Sequence, residues 1–146
     1  MKNAVIVERV LHAPSAKVWV AITDKNEMKK WYFNLEEFKA EKGFTFKFNG
    51  GPEAGPVYEH VCEVTEALPE KKLTYSWRYE GFPGKSHVTW ELQPKGDDTL
   101  LTLTHTGLET IAPAGPDFAY DNFKEGWNHF VNKALPAYLE RNQPAK

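Results

Sequence analysis

The feature that most restricts the fold is a long run of period-two hydrophobicity followed by a single helical stripe. Phe44, Phe46 and Phe48 alternate with Thr45, Lys47 and Asn49. Between Val57 and Glu66 the residues Tyr58, His60, Cys62 and Val64 fall on one face. Leu73, Tyr75, Trp77 and Tyr79 alternate with Thr74, Ser76, Arg78 and Glu80. Val88, Trp90 and Leu92 repeat the pattern, as do Leu101, Leu103 and His105 against Thr102, Thr104 and Thr106. A spacing of two places each set on one side of a strand. Turn residues separate the runs: Gly50-Gly51-Pro52 through Gly55-Pro56, Leu68-Pro69-Glu70, Gly81 to Gly84, and Gly96-Asp97-Asp98. Strands this close in sequence pair as antiparallel hairpins, and a sheet with one apolar face needs cover on that face only.

The cover is written at the C-terminal end. From about Asp117, Phe123, Trp127, Phe130, Val131, Ala134, Tyr138 and Leu139 form a stripe at i, i+3, i+4 and i+7. Pro136 lies inside it and should kink the helix or leave one turn unsatisfied. At the other end, Val5 to His12 reads as a strand, although Val5-Ile6-Val7 leaves its inward face open. Ser15 is a plausible N-cap for a short helix carrying Val18, Trp19 and Ile22, and Lys25 to Trp31 reads as a second helix. Leu35 to Glu41 reads as a further strand. The resulting class is α+β, a curved antiparallel sheet holding a long C-terminal helix, with two short helices after the first strand. Residues 1–146 are read as one domain.

Composition bears on what such a sheet encloses. Five Trp, six Tyr and nine Phe make 14 % of the chain aromatic, enough to fill a core or to line a hollow with rigid rings. A net charge of −2 argues against a nucleic-acid partner, and Lys25, Lys29 and Lys30 read as a solvated helix face. The single cysteine, Cys62, excludes an intrachain disulfide and a multi-cysteine zinc site. No apolar run approaches a membrane span or a secretion signal, so a cytoplasmic location is expected.

The rings Phe46, Phe48, Tyr75, Trp77, Trp90, Phe123 and Trp127, with Trp31, are the candidate lining of a ligand site; the plainer reading of each is core packing. Tyr58 and Tyr75 carry hydroxyls that could orient a polar ligand end. His60 and His105 lie on inward faces, where an imidazole can act as a general base or be a hydrogen-bonded core residue. His12, His87 and His129 look peripheral. No histidine pair has the spacing of a zinc helix, and no phosphate loop, dinucleotide fingerprint or nucleophile elbow occurs, so neither metal nor cofactor is expected. Cys62 and His60 sit two apart on one strand, about 7 Å along the chain, which suits a buried thiol better than a nucleophile–base pair.

Several short motifs, in order along nearly the whole chain, resemble one superfamily. They are Arg9-Val10-Leu11-His12-Ala13-Pro14 with Val18-Trp19; Thr23-Asp24 with Trp31; Leu73-Thr74-Tyr75-Ser76-Trp77; Leu101-Thr102-Leu103-Thr104-His105-Thr106-Gly107; and Gly126-Trp127. The chain resembles the START-related, birch-pollen-allergen-like proteins and polyketide cyclases, and within them the activator of heat-shock-protein-90 ATPase homologues. The resemblance implies a helix-grip fold with a pocket between the sheet and the last helix. It also implies a choice of roles. The first is binding of a small hydrophobic molecule, with no specific reaction assigned. The second is a chaperone-associated role in which the protein binds or stimulates the heat-shock protein 90 ATPase. The third is a cyclase- or hydrolase-like enzyme using His60 or His105. The loop from Leu108 to Phe118 is longer and richer in proline than that pattern.

Overall fold

The computed structural model describes residues 4–31, 37–50, 58–82, 84–111 and 120–141. The element order is β1 (Val5–Leu11), α1 (Ser15–Thr23), α2 (Lys25–Trp31), β2 (Thr45–Gly50), β3 (Tyr58–Leu68), β4 (Lys72–Tyr79), β5 (Ser86–Lys95), β6 (Asp98–Thr106), a 3-10 turn (Leu108–Thr110), α3 (Tyr120–His129), a π-helical turn (Phe130–Ala134) and α4 (Leu135–Arg141). The strands form one antiparallel sheet in the order β1-β6-β5-β4-β3-β2. The chain therefore enters at one edge, crosses by α1 and α2 to the other edge, and returns by hairpins. This is the helix-grip architecture, with α3 through α4 running across the concave face.

The inward faces follow the period of two. Val5, Val7 and Leu11 are buried while Ile6 and Val10 face solvent, which resolves the ambiguous start of β1. Tyr75, Trp77 and Tyr79 on β4, Val88, Trp90 and Leu92 on β5, and Leu101, Leu103 and His105 on β6 are buried. The β5–β6 hairpin pairs Lys95 with Asp98, leaving Gly96-Asp97 as the turn. Gly96 has φ +65°, the sign that the first central residue of such a turn requires. Gly84 has a steric reason to be glycine. A Cβ there would lie 2.1 Å from the Thr110 carbonyl oxygen, where the β4–β5 connection presses on the 3-10 turn.

Two local expectations are corrected. Residues 37–41 are not a strand, because β3 pairs on that side with Thr45–Gly50; Leu35 and Glu36 lie outside the described residues. Phe38 nevertheless points inward, edge-on to Phe46 at 5.0 Å, so the alternation marks an inward-facing side chain and not a ladder. Ser15 is the first helical residue and not the cap of α1. Its hydroxyl meets Thr99 Oγ1 (3.1 Å), which donates to the Ala13 carbonyl (2.8 Å), so the turn out of β1 is tied to β6. Asp24 caps α2 instead, accepting from the Asn26 amide at 2.8 Å.

Pro136 is accommodated by winding. The turn before it is π-helical, with the Leu135 amide bonded to the Phe130 carbonyl. A proline has no N–H to give the carbonyl four residues earlier. That carbonyl, Asn132 O, accepts from the Arg9 guanidinium at 3.4 Å, which also reaches Asn132 Oδ1 at 3.4 Å. The buried stripe thus continues through Val131, Leu135, Tyr138 and Leu139. The Leu108–Phe118 segment opens with the 3-10 turn, and residues 112–119 lie outside the described part.

Candidate functional site

The inner face has two halves. α1 rests on β5 and β6, and α3 and the π-helical turn rest on β1. Toward the other edge, β2, β3 and β4 present rings. Phe46 meets Tyr75 edge-on at 5.2 Å, and Phe48 meets Trp77 edge-on at 5.7 Å. Phe48 stacks on His60 at 4.4 Å and 15°. Trp77 is the hinge between the halves: it also touches Trp127 (5.5 Å) and His105 (5.5 Å). Trp127 in turn meets Trp90 (5.7 Å) and Phe130 (5.9 Å), and Trp31 meets Trp90 (6.0 Å).

All eleven expected site residues are brought into this ring assembly, but not into one role. Trp90, His105, Phe123 and Trp127 belong to the packed half, where α3 seats on the sheet. Phe46, Phe48, His60, Tyr75 and Trp77 belong to the ringed half. Trp31 lies where α2 meets α1, its indole N–H donating to the Ala21 carbonyl at 2.9 Å. Tyr58 is half-buried at the rim.

The polar atoms among these rings pair with one another. Trp77 Nε1 donates to the Tyr79 hydroxyl (2.9 Å) and Trp90 Nε1 to the Tyr75 hydroxyl (3.0 Å). Trp127 Nε1 donates to His105 Nδ1 at 2.9 Å. An indole nitrogen can only donate, so Nδ1 is the acceptor and the His105 proton sits on Nε2. Nε2 then donates to Ser86 Oγ (2.8 Å), and Ser86 donates to the Trp77 carbonyl (2.9 Å). This relay joins α3, β6, β5 and β4 through one fully buried imidazole. Burial, with a smaller contribution from His87, pushes the His105 pKa down to about 3.

His60 is held differently. Its Nδ1 lies 3.1 Å from the Tyr58 carbonyl, which can only accept, so that nitrogen carries the proton. The ring meets Trp77 (5.0 Å) and Tyr79 (4.7 Å) edge-on. Burial lowers its pKa to about 4, offset in part by the backbone bonds. Both imidazoles are therefore neutral near pH 7. Burial pushes the Cys62 thiol well above its usual range, so it is unionised and unreactive there. His12, His87 and His129 are exposed.

Sequence reasoning missed Tyr79, Ser86 and Phe38. Tyr79 was visible as the last inward position of β4; Ser86, a small polar residue at one inward register, had no signal. Helical spacing placed Tyr138 on the inward stripe without its bond: the hydroxyl donates to the Glu27 carboxylate and fastens α4 to α2. Two open concavities on the outside are lined by mixed polar residues, one by Lys124 and Asn128 on α3 with Lys133 of the π-helical turn and the other by Glu41, Lys42 and Glu66. Neither contains an expected ligand residue. Among the described residues no three His, Cys, Asp or Glu gather as metal ligands, and no helix is long and apolar enough to cross a membrane.

The sequence profile of the family described as activator of Hsp90 ATPase homolog 1-like protein matches residues 12–140. The chain belongs to that family. The match runs from the residue after β1 into α4, so β2 to β6 and α1 to α3 fall within the shared region. Solved structures agree. Protein MLL2253 from Mesorhizobium loti is 30 % identical over 97 % of this chain and 99 % of its own, with a TM-score of 0.77. DynU16, a protein of the dynemicin biosynthetic locus, is 26 % identical over 99 % of this chain with a TM-score of 0.78. The match spans only 49 % of DynU16. CalU16 from Micromonospora echinospora is 26 % identical over 93 % of this chain and 75 % of its own, with a TM-score of 0.72. No curated protein matches the chain.

Proposed function

We propose that this protein binds a small hydrophobic molecule between the inner face of β2, β3 and β4 and the Phe123–Trp127 side of α3. The observation that carries this is the make-up of that face: among the described residues, helices rest on β1, β5 and β6, while Phe46, Phe48, His60, Tyr75 and Trp77 gather ring against ring. A ring-lined face with few polar groups, all neutral, suits an apolar ligand. The family match and the DynU16 relative from a biosynthetic locus support the same reading. A cytoplasmic setting fits the lone, buried Cys62.

His105 acts as a structural residue, since both its ring nitrogens are engaged in the relay to Trp127 and Ser86. His60 is the histidine on the ringed half, and no reaction is assigned to it. The second reading, association with a heat-shock ATPase, is carried by the family description alone. Stimulation of a purified heat-shock protein 90 ATPase by the protein supports it; an unchanged rate removes it.

The test of the first reading is a titration with N-phenyl-1-naphthylamine, a neutral ring probe, followed by Trp fluorescence. Saturable one-site binding that Trp77→Ala weakens at least tenfold, with the far-UV circular dichroism unchanged, is the expected result. Absence of saturable binding by the unmodified protein overturns the reading.

A further inference from the structure

The ring assembly does not end at the site; it continues outward to solvent. At the end of the sheet where β3 begins and β4 finishes, Tyr79 pairs with His60 across the ladder. Tyr79 meets Tyr58 at 5.9 Å, and Tyr58 meets Phe82 edge-on at 5.5 Å. Phe82 follows β4 in a turn closed by its own amide on the Tyr79 carbonyl (3.2 Å), and the Glu80 amide bonds the Glu59 carbonyl (2.9 Å). The turn therefore holds Phe82 at a fixed place beside Tyr58. Phe82 is 37 % exposed, Tyr58 half-buried, and Tyr79 and His60 buried, a graded series from water to interior.

Phe82 keeps 37 % of its surface exposed on a backbone-fixed turn beside Tyr58. Its position continues the inward face of β3 and β4 beyond the last ladder pair. We propose that Phe82, with Tyr58, forms the outer wall of the ligand site and selects elongated multi-ring molecules, whose far end passes His60 and reaches the rim. The inference rests on the binding site described above. It adds a residue outside the expected set and a preference for length. On this assignment a four-ring molecule, and not a two-ring one, is the probe whose binding depends on Phe82.

The experiment compares two probes, 2-naphthol with two fused rings and 1-hydroxypyrene with four, by fluorescence titration against the unmodified protein, Phe82→Ala and Phe82→Tyr. Phe82→Ala should weaken 1-hydroxypyrene binding about three- to tenfold, the usual worth of one aromatic contact, and leave 2-naphthol within about twofold. Phe82→Tyr should restore the longer probe. Equal effects on both probes, or none on either while the unmodified protein binds both, overturn the outer-wall assignment and leave the site itself standing. Failure of the unmodified protein to bind either probe overturns the site, and the outer wall with it.

Discussion

Each half of the inner sheet face holds one buried histidine, one tied to a helix and the other to the backbone of its own sheet. His105, on the packed half, is bonded at both nitrogens to residues on other elements, Trp127 of α3 and Ser86 of β5. His60, on the ringed half, bonds the backbone of Tyr58 on its own strand and of Phe48 on the neighbouring β2, and stacks on the Phe48 ring. A cross-element relay fixes the distance between helix and sheet. Bonds to the backbone of adjacent strands hold the ring within the sheet and do not tie a helix to it. The same sheet thus serves as foundation on one side and as wall on the other.

The largest effect that sharpens this contrast is on the packed half. Trp127→Ala should cost about 3–5 kcal/mol in urea unfolding, the range for an aromatic removed from a filled core, with a further loss from the buried His105 acceptor it strands. A loss below about 2 kcal/mol would mean the helix is not seated as described.

Acid is the next lever. Both histidines titrate lower in the folded state, about 3 for His105 and about 4 for His60, than the ordinary 6.5. The unfolded chain therefore binds the extra protons, and stability rises with pH through this window. It should be complete above about pH 6.5 and fall by about 1.4 kcal/mol per pH unit for each histidine as the pH drops toward 4. Unfolding titrations from pH 7 to 4.5 check this, and His60→Gln should remove about half of the slope. A slope unchanged in that variant would break the assignment of His60 to a water-excluded site.

On the ringed half, Phe48→Ala should cost about 1.5–3 kcal/mol, the transfer term without a large added cavity term. A cost equal to that of Trp127→Ala would make the two halves alike. The smallest effect is at the seam between α2 and α4. Tyr138→Phe removes the bond to Glu27, whose carboxylate is partly exposed, and should cost about 1 kcal/mol by thermal unfolding.

Much of this plan was legible beforehand. Strand parity placed Phe46, Phe48, His60, Trp77, Trp90 and His105 on the inner face, and helical spacing placed Phe123 and Trp127 against them. The two halves were not legible, because period two states which side of a sheet a residue occupies and not which part of that side a helix covers. The His105 relay depends on Ser86 standing 19 positions away. The reading of Leu35 to Glu41 as a strand erred because an inward side chain such as Phe38 gives the same alternation with or without a ladder partner. Pro136 pointed to a kink; the π-helical turn and the Arg9 contact that absorb it belong to tertiary structure.

The most direct measurement is an indole ¹H–¹⁵N titration with N-phenyl-1-naphthylamine, since the five tryptophans sample both halves. Saturable shifts largest at Trp77, smaller at Trp90 and least at Trp19, are the expected result. Shifts larger at Trp90 than at Trp77, or no saturable shift at any indole, would contradict a ligand site on the ringed half.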